Sequence, residues 1–265
     1  MMFFGIWIVI IFTLLYEPVF GYMGFQKFKN RAVSGELEAR LNYYKDSIIG
    51  LWIPVIFILL LAVFTDMTFK YIGLQSLSIN TETLGSVITY TAIGLGCGFL
   101  LLLCVYTAGY KWNDRIRKQI DEARSKELVQ SGYQAFLLPK TNKEKKRWTY
   151  VSVTAGITEE IIYRGFLLFA LGYIFPGLSV WATIIIASMI FGLAHTYQGI
   201  SGVIKTTIIG IWLCLIYIGT GSLIPLIVFH AFIDYFGKLG IASAEDEKVG
   251  SKSIPEMFQS KDVSY

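Results

Sequence analysis

The chain has 265 residues, 54% of them hydrophobic and 15% aromatic, with a formal net charge of +4 and a mean hydropathy of +0.56. Charged residues are only 16% of the total, well below the roughly one quarter of soluble domains, which excludes an ordinary soluble globular protein. The basic residues gather in loops between apolar runs, so membrane topology accounts for the positive charge and no nucleic-acid partner is expected.

Apolar runs long enough to cross the hydrocarbon core as helices occur near 2–20, 48–65, 85–107, 149–173, 179–197, 202–219 and 222–237. They predict an all-α, polytopic membrane helical bundle of about seven transmembrane helices. The first run has no basic leading segment and ends at Glu17-Pro18 rather than at a small-residue cleavage site, so it is read as a span and not as a signal peptide. Lys27, Lys29, Arg31, Arg40 and Lys45 follow it, and eleven Lys and Arg lie between the third and fourth runs. The connection 66–84 has only Lys70. The basic loops therefore face the cytoplasm, with the N-terminus outside and the C-terminus inside.

Within 110–136, Ile116, Ile120, Leu128 and Val129 recur at roughly helical spacing. This stretch is read as a solvated extension of the third helix, with a helix lying on the membrane surface as the other reading. Cys97, Cys104 and Cys214 all sit in apolar runs and are expected as small buried side chains. The chain divides into N-terminal transmembrane helices with basic loops over 1–148, a core of four transmembrane helices over 149–238, and a flexible cytoplasmic tail over 239–265. The polar composition of 242–265 predicts disorder.

The chemistry is concentrated in the fourth run, Gly156-Ile157-Thr158-Glu159-Glu160-Ile161-Ile162-Tyr163-Arg164. A charge at the centre of a membrane helix costs about 2.5–3.5 kcal/mol on insertion scales, so it needs a function or a buried partner. Glu160 and Arg164 are four residues apart with the acid first, the favourable order for a side-chain pair. A structural ion-pair cluster between helices accounts for these two but leaves Glu159 without a partner. Further along, Phe191 precedes His195 by four residues and His230 precedes Asp234 by four, and these are the only two histidines. Each pair also has a plain reading as a helix-packing hydrogen bond. Counted from residue 149, Glu159 lies roughly 15 Å into the membrane and His230 a similar distance from the opposite face, so the groups can converge.

Glu159-Glu160-x3-Arg164, Phe191-x3-His195 and His230-x3-Asp234, in this order on successive apolar segments, resemble the CAAX protease and bacteriocin-processing family (CPBP, also called Abi). This is a family of intramembrane endopeptidases that includes the Ras-converting CAAX prenyl endopeptidase. The resemblance spans about 138–237. It implies that Glu159 is the general base that activates water and that Glu160 and Arg164 shape the site. It further implies that His195 binds or activates that water, and that His230 with Asp234 stabilises the oxyanion or contributes to a metal site. At Asp234 the sequence departs from the prenyl endopeptidase branch, which has asparagine there.

The function expected from the resemblance is hydrolysis of a peptide bond in a membrane-associated protein or peptide, in a bacterial inner membrane. A proton- or ion-coupled transporter and a non-catalytic membrane scaffold are the alternatives, since both also retain intramembrane charges. Three carboxylates against one guanidinium leave the cluster negative, and buried charge is neutralised by protons or by a counter-ion. A zinc site of Glu159, His195 and His230, with Asp234 orienting His230, is one remedy. Protons alone are the other, with no cofactor. The metal-free form is expected, because His195 is placed shallower than His230 and neither histidine has the short spacing that preassembles a zinc site.

Overall fold

The computed structural model describes residues 1–130 and 132–239, so all but the first residue of the expected 239–265 tail lies outside the described residues. The described residues form helices and no strand. Helix α1 (Met2–Leu15) runs through a π-helical turn at Tyr16–Gly21 into α2 (Tyr22–Val33). Glu17-Pro18 thus does not end the helix, contrary to the sequence reading. Proline lacks the N–H that an α-helical ladder needs, and the ladder widens to π spacing around it. There follow α3 (Ala39–Phe64), α4 (Ser86–Trp112), α5 (Asp114–Gln130) and the short α6 (Tyr133–Leu137).

The charged motif lies on one continuous helical path: α7 (Asn142–Glu159), a second π-helical turn at Glu160–Phe166, and α8 (Leu167–Ile174). Then come α9 (Val180–Leu193), a 3-10 turn at Thr196–Gln198, α10 (Gly199–Thr220) and α11 (Ile224–Phe236). All seven apolar runs fall on helices. By length and apolar composition four stretches can cross a membrane, namely Met2–Val33, Ala39–Phe64, Ser86–Trp112 and Thr196–Thr220. Val180–Leu193 and Ile224–Phe236 are apolar but shorter.

α5 is not an extension of α4. Asn113 interrupts the ladder, and its Oδ1 accepts from the backbone N–H of Arg115 and Ile116 at 3.0 and 3.2 Å. That is an N-cap, which starts a new helix. The side chains of Leu128 and Val129 lie outside the described residues. Cys97 and Cys104 are exposed along α4, and only Cys214 is buried as the sequence predicted. Their neighbours Leu95, Leu101 and Val105 are also exposed, as expected where small side chains face lipid.

α7 packs between α3 and α11, and α10 packs against α9 and α4. Lipid tails are as apolar as leucine, so close packing rather than escape from water holds such helices together. Gly156 makes this possible for α7 and α11: a Cβ there would lie 2.7 Å from the Ala231 backbone nitrogen. Gly192 does the same for α9 and α10, with a Cβ only 2.8 Å from the Val203 carbonyl oxygen. Ile6, Ile58, Ile162 and Phe166 fill the buried centre around the motif.

Both ends of the bundle are pinned. Thr141 and Glu144 form a capping box at the start of α7, and Arg40 of α3 donates to Glu144 at 2.9 Å. Beside them, a hydrogen bond from Lys143 holds the Glu38 carboxyl below its ordinary range. At the other end, Gln75 Nε2 donates to the Gly221 carbonyl at 2.7 Å and Ser222 Oγ to the Gln75 carbonyl at 2.6 Å.

Candidate active site

The π-helical turn that begins at Glu160 carries the motif into the middle of the bundle. Glu160 through Phe166 are all buried. Glu160 Oε1 accepts from Arg164 Nη1 at 2.9 Å, both side chains being inaccessible. The expected pair is therefore present. The Arg164 guanidinium also stacks 4.0 Å above the Phe191 ring, which adds a cation–π contact within a desolvated centre.

His230 enters from α11. Its Nδ1 is 2.7 Å from Glu160 Oε1, and its Nε2 is 3.9 Å from Glu159 Oε2 and 3.7 Å from Asp234 Oδ2. The carboxylate that orients this imidazole is thus Glu160, not Asp234, whose oxygen lies beyond hydrogen-bond range. The four-residue spacing predicted the shared face of His230 and Asp234, but the tertiary partner is closer. Trp148 Nε1 donates to the Asp234 carbonyl at 2.8 Å and fixes α11 against α7.

His195 lies at the end of α9, with Nδ1 3.0 Å from the Phe191 carbonyl oxygen. A carbonyl only accepts, so Nδ1 carries the proton, and in the neutral ring Nε2 keeps a lone pair. Glu159 approaches His230 only at 3.9 Å, beyond hydrogen-bond range. Its Oε2 is buried and has no hydrogen-bond partner.

Glu159, His195, His230 and Asp234 all line one cavity of about 500 Å³. Glu160 and Arg164 sit behind that wall. The predicted six residues thus assemble into a lining set and a supporting pair. Among the described residues no three His, Cys, Asp or Glu side chains are arranged to hold a metal ion. As placed, Glu159, His195 and His230 do not make the zinc set that their residue types permit.

The N-terminal helices supply the opposite wall, which the sequence reading missed. Tyr16, Glu17, Gly24 and Tyr43 line the same cavity, as do Tyr197 and Gln198 just after His195. Thr196 Oγ1 donates to the Pro18 carbonyl at 3.0 Å and ties the two walls together. A carboxylate followed by proline inside an apolar run was the available signal for Glu17, read instead as a helix stop.

Residues 144–236 match the family model described as type II CAAX prenyl endopeptidase Rce1-like. This segment belongs to the CAAX protease family. All six predicted site residues fall within it. No curated protein and no solved structure matches the chain. With four helical stretches able to cross a membrane, the chain is a multi-pass membrane protein, and the family its 144–236 segment matches is one of membrane proteases.

Proposed function

We propose that the protein is an intramembrane endopeptidase in which Glu159 activates water to hydrolyse a peptide bond of a membrane-associated protein or peptide. The cavity opens toward the basic, cytoplasmic side of a bacterial inner membrane. The observation that carries this reading is the contrast between two adjacent carboxylates. Glu160 lies behind the wall with Oε1 accepting from Arg164 and His230 and Oε2 unbonded, whereas Glu159 is in the cavity wall, its buried Oε2 without a hydrogen bond and 3.9 Å from His230 Nε2. A carboxylate bonded to two donors behind the wall is a support, and one on the cavity wall that accepts no hydrogen bond is available to take a proton.

In this mechanism a water between Glu159 and His195 gives a proton to Glu159, with the His195 Nε2 lone pair accepting its other hydrogen. The oxygen attacks the scissile carbonyl carbon, and the carbonyl electron pair moves to the oxygen. His230, protonated at both nitrogens, donates from Nε2 to that oxyanion while Nδ1 stays on Glu160. Glu160, Glu159 and Asp234 surround the imidazolium and compensate its charge, which supports the proton remedy for the surplus of carboxylates. Collapse of the intermediate breaks the C–N bond, and Glu159 returns its proton to the departing amine. Arg164 never meets the substrate; it keeps Glu160 ionised and in place.

Glu159→Gln tests the assignment, because an amide fills the same space but takes no proton. Purified wild type cleaves a member of a membrane-peptide panel, and the variant inserts, folds and leaves that peptide intact. Turnover by the variant near the wild-type rate removes Glu159 as the base.

A further inference from the structure

The cavity has an acidic partner for Glu159 that comes from outside the family-matching segment. Glu17, on the π-helical turn of the N-terminal helix, lines the same 500 Å³ space. Of the other charged residues lining that space, Asp46 and Asp234 are acidic, while Lys27 and Arg31, with the imidazolium of His230 in the proposed mechanism, are the cations; Lys27 forms no ion pair with Glu17. Arg31 is already engaged, its Nε donating to Glu36 at 2.6 Å. Arg164 is used by Glu160 and Phe191 and does not line the cavity. Behind the wall the Tyr163 side chain, 2% exposed, carries a hydroxyl without a hydrogen-bond partner. On the lining itself the buried Glu159 Oε2 is the oxygen left without a hydrogen bond. The rings of Tyr16, Tyr43 and Tyr197 complete the lining.

We propose that Glu17 is a specificity-determining residue that holds a lysine or arginine side chain of the substrate beside the bond on which Glu159 acts. The inference rests on the endopeptidase reading, because an endopeptidase admits the interior of a chain, where the cation is a side chain. A carboxylate with aromatic faces around it suits an ammonium or guanidinium better than any neutral group. Among the described residues Glu17 is in no ion pair, and a carboxylate in a partly desolvated cavity without one draws its counter-charge from what binds. The visiting cation meets Glu17 directly and leaves Glu159 free for water.

Binding and cleavage are measured separately, on the full chain in detergent. The binding arm uses the Glu159→Gln protein and fluorescent ten-residue apolar peptides with one central lysine or, in its place, norleucine. The lysine peptide binds about tenfold tighter by anisotropy, the scale of one partly desolvated charge contact. Glu17→Gln abolishes that preference, Glu17→Asp keeps part of it, and Glu17→Lys reverses it. Equal binding of the two peptides, no binding of either, or a preference that survives Glu17→Gln overturns the inference. The cleavage arm uses the same peptides and the chain with Glu159 intact. A Glu17-dependent preference in binding without any cleavage leaves the cation site standing and sinks the endopeptidase reading instead.

Discussion

Removing Arg164 tests whether the buried cluster supports the site as a unit. In the folded protein Glu160 Oε1 takes two donors, Arg164 Nη1 at 2.9 Å and His230 Nδ1 at 2.7 Å. Neither Glu160 nor Arg164 has measurable exposure, so no water replaces a lost partner. Breaking a buried pair from one side costs about 3–5 kcal/mol. At about 2–4 °C per kcal/mol for a chain of this size, Arg164→Ala lowers Tm by roughly 6–20 °C. Glu160→Ala costs at least as much, since it strands Arg164 and releases His230 together. The double variant strands neither charge, so its loss falls short of the summed single losses by about 1–3 kcal/mol. Thermal unfolding of the four proteins in one detergent supplies the cycle. Additivity within about 0.5 kcal/mol refutes the argument, because it means that the two side chains do not depend on each other.

Gly24 lines the cavity, and a Cβ built there meets nothing within 4 Å. Gly24→Phe therefore fills the cavity and removes most peptide cleavage while Tm stays within about 2 °C; a fully active variant shows that substrate does not pass this wall. For topology, a cysteine at exposed Lys143 is labelled from the cytoplasm and one at exposed Glu82 from outside, in a background without the native cysteines. Glu82 serves better than Gly221, whose left-handed backbone at φ 63 would strain a cysteine. The opposite labelling pattern places the cavity opening on the outer face. Cleavage persists after treatment with a strong chelator and metal analysis finds no stoichiometric ion; zinc whose removal abolishes cleavage and whose return restores it overturns the proton-only mechanism.

What was legible in the sequence was whatever local spacing encodes. Glu160 and Arg164 meet because four residues along one helical path bring them together, and the polar residues of the last apolar runs gather because unpaired charge is costly in lipid. The same rule named Asp234 as the partner of His230, and there tertiary geometry prevailed. Glu160 reaches the imidazole across the α7–α11 contact that Gly156 allows, and no spacing within α11 reports it. The break at Asn113 was also readable, as an N-cap residue ahead of an acidic first turn, but the apolar residues beyond it suggested continuity. The exposure of Cys97 and Cys104 follows from the solvent itself: in lipid an outward-facing apolar side chain carries no penalty, so hydrophobicity ceases to predict burial.

The two π-helical turns explain why the site needs both halves of the chain. Each widens the ladder where a carboxylate must face inward, at Glu17 on the first helix and at Glu160 on the fourth apolar run. Such turns disturb regular hydrogen bonding and recur at functional sites. The first turn contributes Glu17 to the cavity lining and the second begins directly after Glu159, which also lines it, and Thr196 ties the Pro18 carbonyl to the segment just after His195. The segment that matches the protease family holds Glu159, the proposed water-activating group, and the Glu160, Arg164 and His230 cluster behind it. The N-terminal wall, outside that segment, meets what enters. Substitutions there are therefore expected to alter which peptides are cleaved, while substitutions in the Glu160, Arg164 and His230 cluster alter whether any are.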